Sequence, residues 1–353
     1  MRTIPAKTAA AVLVGAALVA AGPASASMAR TARKAISVPC SAAALAAAIT
    51  GASNGGILSL KGSCTYRLAA PLPAISANLT IRGDGATLER SSAPGTPDFT
   101  MLEVAGHVDL AISKLTFTGD TTATYGGAIA NSGTLTVTGA TFSNNVAEDG
   151  GALENYGVAA IAKSKFVNNH AGFNGGAVHN EGSVTVTDSR FSGNSAGNFG
   201  AGIFDGVEGN AAAITGSAFR QNKAEAGGAI YNEDVVRLTR TVISGGSASG
   251  QGGGIYNDWG LTVTSSKVLR NTAAAGGGIY NGDLFGPPGT VVLKGSTVTG
   301  NKPDNCEPVN SIASCRDPAV RRAASAGSAG RGRSQPIDRA RALARDFSPR
   351  AGG

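Results

Sequence analysis

A Gly-Gly-Ala-aliphatic element returns through the middle of this chain at almost constant spacing. It stands at Gly126-Gly127-Ala128-Ile129, Gly150-Gly151-Ala152-Leu153, Gly175-Gly176-Ala177-Val178 and Gly227-Gly228-Ala229-Ile230. Variants stand at Gly200-Ala201-Gly202-Ile203, Gly252-Gly253-Gly254-Ile255 and Gly276-Gly277-Gly278-Ile279. The aliphatic residues are 24, 25, 25, 27, 25 and 24 positions apart. Two residues beyond them come Asn131, Asn155, Asn180, Asp205, Asn232, Asn257 and Asn281. A second motif runs in phase, an apolar residue followed three positions later by Asn or Asp. Its copies are Phe117/Asp120, Phe142/Asn145, Phe166/Asn169, Phe191/Asn194, Phe219/Asn222, Val268/Asn271 and Val298/Asn301, with Val242/Gly245 read as a defective copy.

Between the motifs lie alternating runs such as Thr134-Leu135-Thr136-Val137-Thr138. Period-two alternation of β-branched residues is a strand signal. Many copies of a ~25-residue strand-and-turn unit mean a solenoid. Helical periodicity and a leucine-rich frame are both absent. The expected fold is therefore all-β, a right-handed parallel β-helix of roughly nine coils, ~40 Å long at the ~4.8 Å strand spacing. Handedness is taken from the crossover preference of parallel strands. Inward Ile and Phe form columns, and the Asn positions form amide ladders between coils. Ser41 is placed to N-cap a helix over Ala42–Ile49, whose Leu45 and Ile49 cover the first coil.

The two ends differ from the body. Of 353 residues, net charge +7, the basic excess sits at the termini, leaving 35–315 at −4. A basic nucleic-acid footprint across the whole fold is not supported. Residues 1–26 read as an export signal: Arg2 and Lys7, an apolar stretch Ala9–Ala21, and the small-residue site Ala24-Ser25-Ala26. Residues 27–37 read as a linker, 38–316 as the β-helix domain, and 317–353 as a disordered Arg-rich tail. The expected location is secreted, extracellular or wall-associated, without a membrane span in the mature chain. Four cysteines suit an oxidising compartment and allow three pairings. The simplest arrangement is a local clip at each end, Cys40–Cys64 and Cys306–Cys315. Zinc is the rival use, without a CxxC pair to support it.

The pairing of FxxN with GGA(I/L/V) resembles the repeat of chlamydial-type polymorphic outer membrane proteins. Cys40-Ser41-Ala42, Cys64-Thr65-Tyr66, Leu79–Gly85 and Asn305-Cys306 resemble secreted actinobacterial-type β-helix proteins of pectin-lyase-like fold. The resemblance covers about 38–316. It implies extracellular display and, for the outer-membrane members, adhesion. Nothing after residue 305 matches the strands of an outer-membrane barrel.

The position after each aliphatic gives Ala130, Glu154, His179, Phe204, Tyr231, Tyr256 and Tyr280, pointing away from the core. Phe204, Tyr231, Tyr256 and Tyr280 are therefore expected as an exposed aromatic row. The position after the ladder carries Glu181, Glu233 and Asp258. One further on stand Asp234, Asp283 and the only tryptophan, Trp259. Aromatics beside carboxylates suit a glycan or cell-surface ligand bound without catalysis; the bland alternative is like residues stacking on a solvated face. Glu233 and Asp258 are the candidate pair for a polysaccharide lyase or glycosidase, opposed by their expected exposure, which would leave neither pKa raised. Arg237 and Arg240 share that coil without an assigned face. No cofactor is expected. A calcium ion held by Glu233, Asp234, Asp258 and Asp283 is an alternative. Gly193-Asn194-Ser195-Ala196-Gly197 spells GxSxG in a repeat loop rather than a strand-to-helix elbow. Arg82-Gly83-Asp84 is read as a tight turn. No nucleotide-binding loop occurs, and a monomer is expected.

Overall fold

The computed structural model describes residues 34–206, 211–283, 287–308 and 311–315. The export signal, most of the linker and the Arg-rich tail lie outside them. The described chain is a right-handed parallel β-solenoid of about 11 turns. Its parallel sheets have eleven, ten, nine and five strands. Each coil crosses the eleven-stranded sheet, then the ten-stranded one, and most return through the nine-stranded sheet. The count exceeds the expected nine because the opening coils lack the motifs. Ile36–Val38 already pairs with Gly56–Leu60, so the first strand begins inside the stretch read as linker.

The alternation sets which side chains enter. In Thr134–Thr138, Leu135 and Val137 are buried and the three threonines exposed. The inward columns are homogeneous. Phe117, Phe142, Phe166, Phe191 and Phe219 are fully buried. Their rings stack nearly parallel at 4.9, 4.7, 4.6 and 4.5 Å between centroids. The next member is Ile243, not Val242, because Phe219 pairs with Ile243 and Ile243 with Val268. The defective copy is therefore Ile243/Gly246: alternation alone did not show which of two adjacent β-branched residues turns inward.

Two amide ladders follow the predicted columns. In one, Asn131 Nδ2 donates to Asn155 Oδ1 (2.7 Å), Asn155 to Asn180 (2.6 Å) and Asn180 to Asp205 (2.8 Å). It resumes from Asn232 to Asn257 (2.6 Å) and Asn257 to Asn281 (2.8 Å). In the other, Asn145, Asn169 and Asn194 each donate to the next coil at 3.0 Å. A third ladder was missed. Ser164, Ser189, Ser217, Thr241, Ser266 and Ser296 line the corner before the ten-stranded sheet. There, for example, Ser164 N donates to Ser189 Oγ (3.1 Å) and Ser189 N to Ser217 Oγ (3.1 Å). Its signal was a hydroxyl residue two positions before each inward residue of the column from Phe166 to Val298.

The paired glycines serve the sharp corner. Gly150 has φ +60°, where L side chains are strained, and a Cβ on Gly151 would strike the carbonyl of Gly176 in the next coil. The first coil is capped as expected. Helix Ala42–Thr50 has Ser41 Oγ accepting from Ala44 N, and Leu45 and Ile49 buried. Disulfides join Cys40 to Cys64 and Cys306 to Cys315. Among the described residues no helix is long and apolar enough to cross a membrane.

Candidate functional site

The nine-stranded sheet is built from triplets such as Val178-His179-Asn180, whose outer members face the core. The central residue points outward, as the pleat requires. Outward is not exposed, however. Phe204, Tyr231 and Tyr256 retain 5%, 2% and 5% exposure, and Tyr280 is half-buried. The expected open aromatic row is thus corrected to a second, small apolar core. The rings cover one another: Phe204–Tyr231 at 5.6 Å, Tyr231–Tyr256 at 4.5 Å and Tyr256–Tyr280 at 5.3 Å. The segment leading into Ile203–Asp205 folds over them, with Phe199 stacked on Tyr231 at 4.5 Å. Strand alternation says nothing about a neighbouring loop, so this cover was invisible in the repeat.

The row continues from aromatic to ionic. His179 stacks on Phe204 at 4.8 Å. Its Nδ1 meets Glu154 Oε1 at 2.5 Å, and its Nε2 lies 3.4 Å from Glu181 Oε1. Burial pulls the His179 pKa down, but Glu154, then Asp149 and Glu181, outweigh it and bring it to about 9. His179 is therefore an imidazolium at neutral pH, with both ring nitrogens as donors. Sequence reasoning missed this Glu154–His179–Glu181 group. The 25-residue frame sets Glu154 and His179 level on adjacent coils with Glu181 two residues beyond His179, and that was the available signal.

Beyond the ladder, Glu181 and Glu233 are half-buried and Asp258 is buried. Gly206 fills the intervening coil between the two glutamates. A Cβ there would collide with the Glu181 carboxylate, so that carboxylate overhangs the gap. Burial, then the charges of Glu181 and Asp258, push Glu233 up to about 8, against a smaller pull from His179. The expectation that Glu233 and Asp258 are exposed, with neither pKa raised, is overturned. Asp258 Oδ1 and the Tyr256 hydroxyl meet where a Cβ on Gly282 would stand. Beneath the patch, Asp205 is pushed up to about 8, first by burial, partly offset by the Asn180 hydrogen bond.

Trp259 projects from the turn at 58% exposure, level with Asp234 of the preceding coil. Tyr156 is also exposed, at 51%. Asp283 is exposed. Among the described residues no group of three or more His, Cys, Asp or Glu is arranged to hold a metal ion. Arg237 points outward from the eleven-stranded sheet and Arg240 lies in the corner after it, away from Glu233. The GxSxG serine gained one unexpected partner: Ser195 Oγ lies 2.9 Å from His170 Nδ1 on the five-stranded sheet. Among the described residues no carboxylate pairs with His170 to complete a triad.

The class defined by these features is an all-β parallel solenoid with an acidic and aromatic outer corner. No family model and no curated protein matches the chain. Among solved structures, the crystal structure of bacteriophage CBA120 tailspike protein 3 is similar, at TM-score 0.30 and 14% identity. The match covers 76% of this chain and 59% of that one. At that level of overlap it carries no argument about fold or function.

Proposed function

We propose that the protein is an exported, extracellular module that binds glycan or cell-surface material at the corner after the nine-stranded sheet, without catalysis. The carrying observation is Trp259, a large exposed aromatic set beside the half-buried Glu233 and the buried Asp258. An exposed indole supplies a face on which a sugar ring stacks, and the carboxyl groups exchange hydrogen bonds with its hydroxyls. The buried Tyr231 and Tyr256 act as the rigid base of this corner rather than as the contact surface. Export, the polymorphic-type repeat and the pectin-lyase-like affiliation belong to this proposal. The test is binding of the full chain to a panel of neutral polysaccharides. Trp259→Ala is expected to weaken binding about tenfold with an unchanged melting temperature. Undiminished binding by that variant would remove the corner from the account.

One observation favours a second reading, a glycoside hydrolase or lyase. Glu233, with a pKa of about 8, keeps its proton at neutral pH. A carboxyl that keeps its proton beside a second carboxyl supplies the acid that cleavage of a glycosidic bond uses. Released sugar ends that vanish in Glu233→Gln would establish this reading over the first.

A further inference from the structure

The outward face of the ten-stranded sheet is chemically opposite to the acidic corner. Its strands and flanking turns carry Lys163, Lys165, Arg190, Arg220, Lys267 and Arg270, all exposed. Lys114 and Arg240 extend the set along the preceding corner. Between Lys114 and Gly300 the only exposed carboxylate in these segments is Asp188; Asp120 is buried. Among the described residues none of these cations is in an ion pair.

Register lines them up. Lys165 pairs directly with Arg190 on the next strand, one strand spacing of ~4.8 Å away. The same column runs through Ala218 and Val242 to Lys267. Arg220 stands in the parallel column between Ser192 and Ser244. Like charges on neighbouring strands repel, so nothing in the fold rewards this placement. A long field of one sign attracts a ligand of the other.

We infer that this face is a second binding surface, which takes a linear acidic polysaccharide laid along the solenoid axis. Successive anionic groups meet successive coils, and Thr141, Ser143, Ser192 and Ser244 offer hydroxyl partners between the cations. Single-stranded nucleic acid is bound on aromatic stacking platforms, and no outward position of this sheet is aromatic. A membrane surface is entered by bulky apolar side chains, and none is exposed among the cations. The surface is separate from the Trp259 corner, and the inference does not depend on it.

The test compares carboxymethyl-dextran with uncharged dextran of equal length, using the full chain. Carboxymethyl-dextran is expected to bind, more weakly as salt is raised, while dextran does not reach this face. The triple variant Lys165→Gln, Arg190→Gln, Lys267→Gln is expected to lose affinity on the order of 100-fold, about fivefold per cation at an anionic surface. Trp259→Ala is expected to bind carboxymethyl-dextran as tightly as the unsubstituted chain does, separating this surface from the corner. Should the triple variant fail to fold, Arg220→Gln with Arg270→Gln is expected to lose about 25-fold at other positions. Equal binding by the folded charge variants would overturn the inference. So would binding indifferent to salt, or tighter binding of a single-stranded oligonucleotide or of phosphatidylserine vesicles.

Discussion

The ten-stranded and nine-stranded sheets share one repeat, one strand spacing and equally uniform inner faces, yet their outer faces differ in kind. On the ten-stranded sheet the cations from Lys165 to Arg270 stand clear among hydroxyl and small aliphatic side chains, while the opening strands pair Arg67 with Glu89. On the nine-stranded sheet Phe204, Tyr231 and Tyr256 point outward yet are buried, with Phe199 of an entering segment stacked on Tyr231, while Trp259 of a following turn is exposed. The difference teaches that a solenoid's backbone fixes which way a residue points, while the adjoining loop decides whether anything can reach it. Binding by open charge is available on the first face; binding at a shaped, recessed corner is available on the second.

The sharpest contrast lies within one strand of the ten-stranded sheet. Phe166→Ala removes a ring from the middle of a stacked column and is expected to destabilise by ~3–5 kcal/mol. Lys165→Gln, its exposed neighbour, is expected to leave stability unchanged. Chemical denaturation of both variants measures the difference, and similar losses would break the inward–outward division.

Next in size is the break in the ladder at Asp205. Its Oδ1 accepts from Asn180, while among the described residues nothing donates to Oδ2. Its pKa is raised from 3.8 to about 8 in the fold. The folded state therefore holds this proton after the unfolded chain has released it. Stability from this group is full below pH ~4, falls as pH rises to about 8, and is flat above. Asp205→Asn removes that slope. Its advantage over wild type is expected to grow between pH 4 and 8, as read by melting temperature. An advantage independent of pH would contradict the neutral acid.

Glu154→Gln tests the ionic end of the row. It withdraws the main group that holds His179 charged, so the His179 pKa is expected to fall below its value of about 9, as followed by NMR titration. An unchanged titration would mean that Asp149 and Glu181 suffice. The smallest effect on the fold is that of Trp259→Ala, which leaves stability intact and changes binding alone.

Much of the fold was legible because repetition makes each position an average over many copies. The Phe column, the Asn ladder and the helical cap over Leu45 and Ile49 all followed from spacing. Both disulfides fell as the simplest pairing placed them. What failed to show depended on departures from the repeat. Ile36–Val38 and the opening coils carry no motif, hence the shorter coil count. Phe199 over Tyr231 is a contact between a loop and a strand, which alternation does not encode. Charge was legible but was summed: a body of −4 conceals Lys165 and Arg190 on one face and Glu181 and Glu233 on another. Only the 25-residue frame separates them.

The central claim is that function resides on these two outer surfaces and not in a catalytic cleft. It is tested most directly by incubating the full chain with neutral and acidic polysaccharides, reading bound protein and released sugar ends from the same samples. The account predicts binding without release, lost for neutral glycans in Trp259→Ala and for acidic ones in the Lys165, Arg190 and Lys267 variant. Release of sugar ends that depends on Glu233 would contradict it and make the corner an active site.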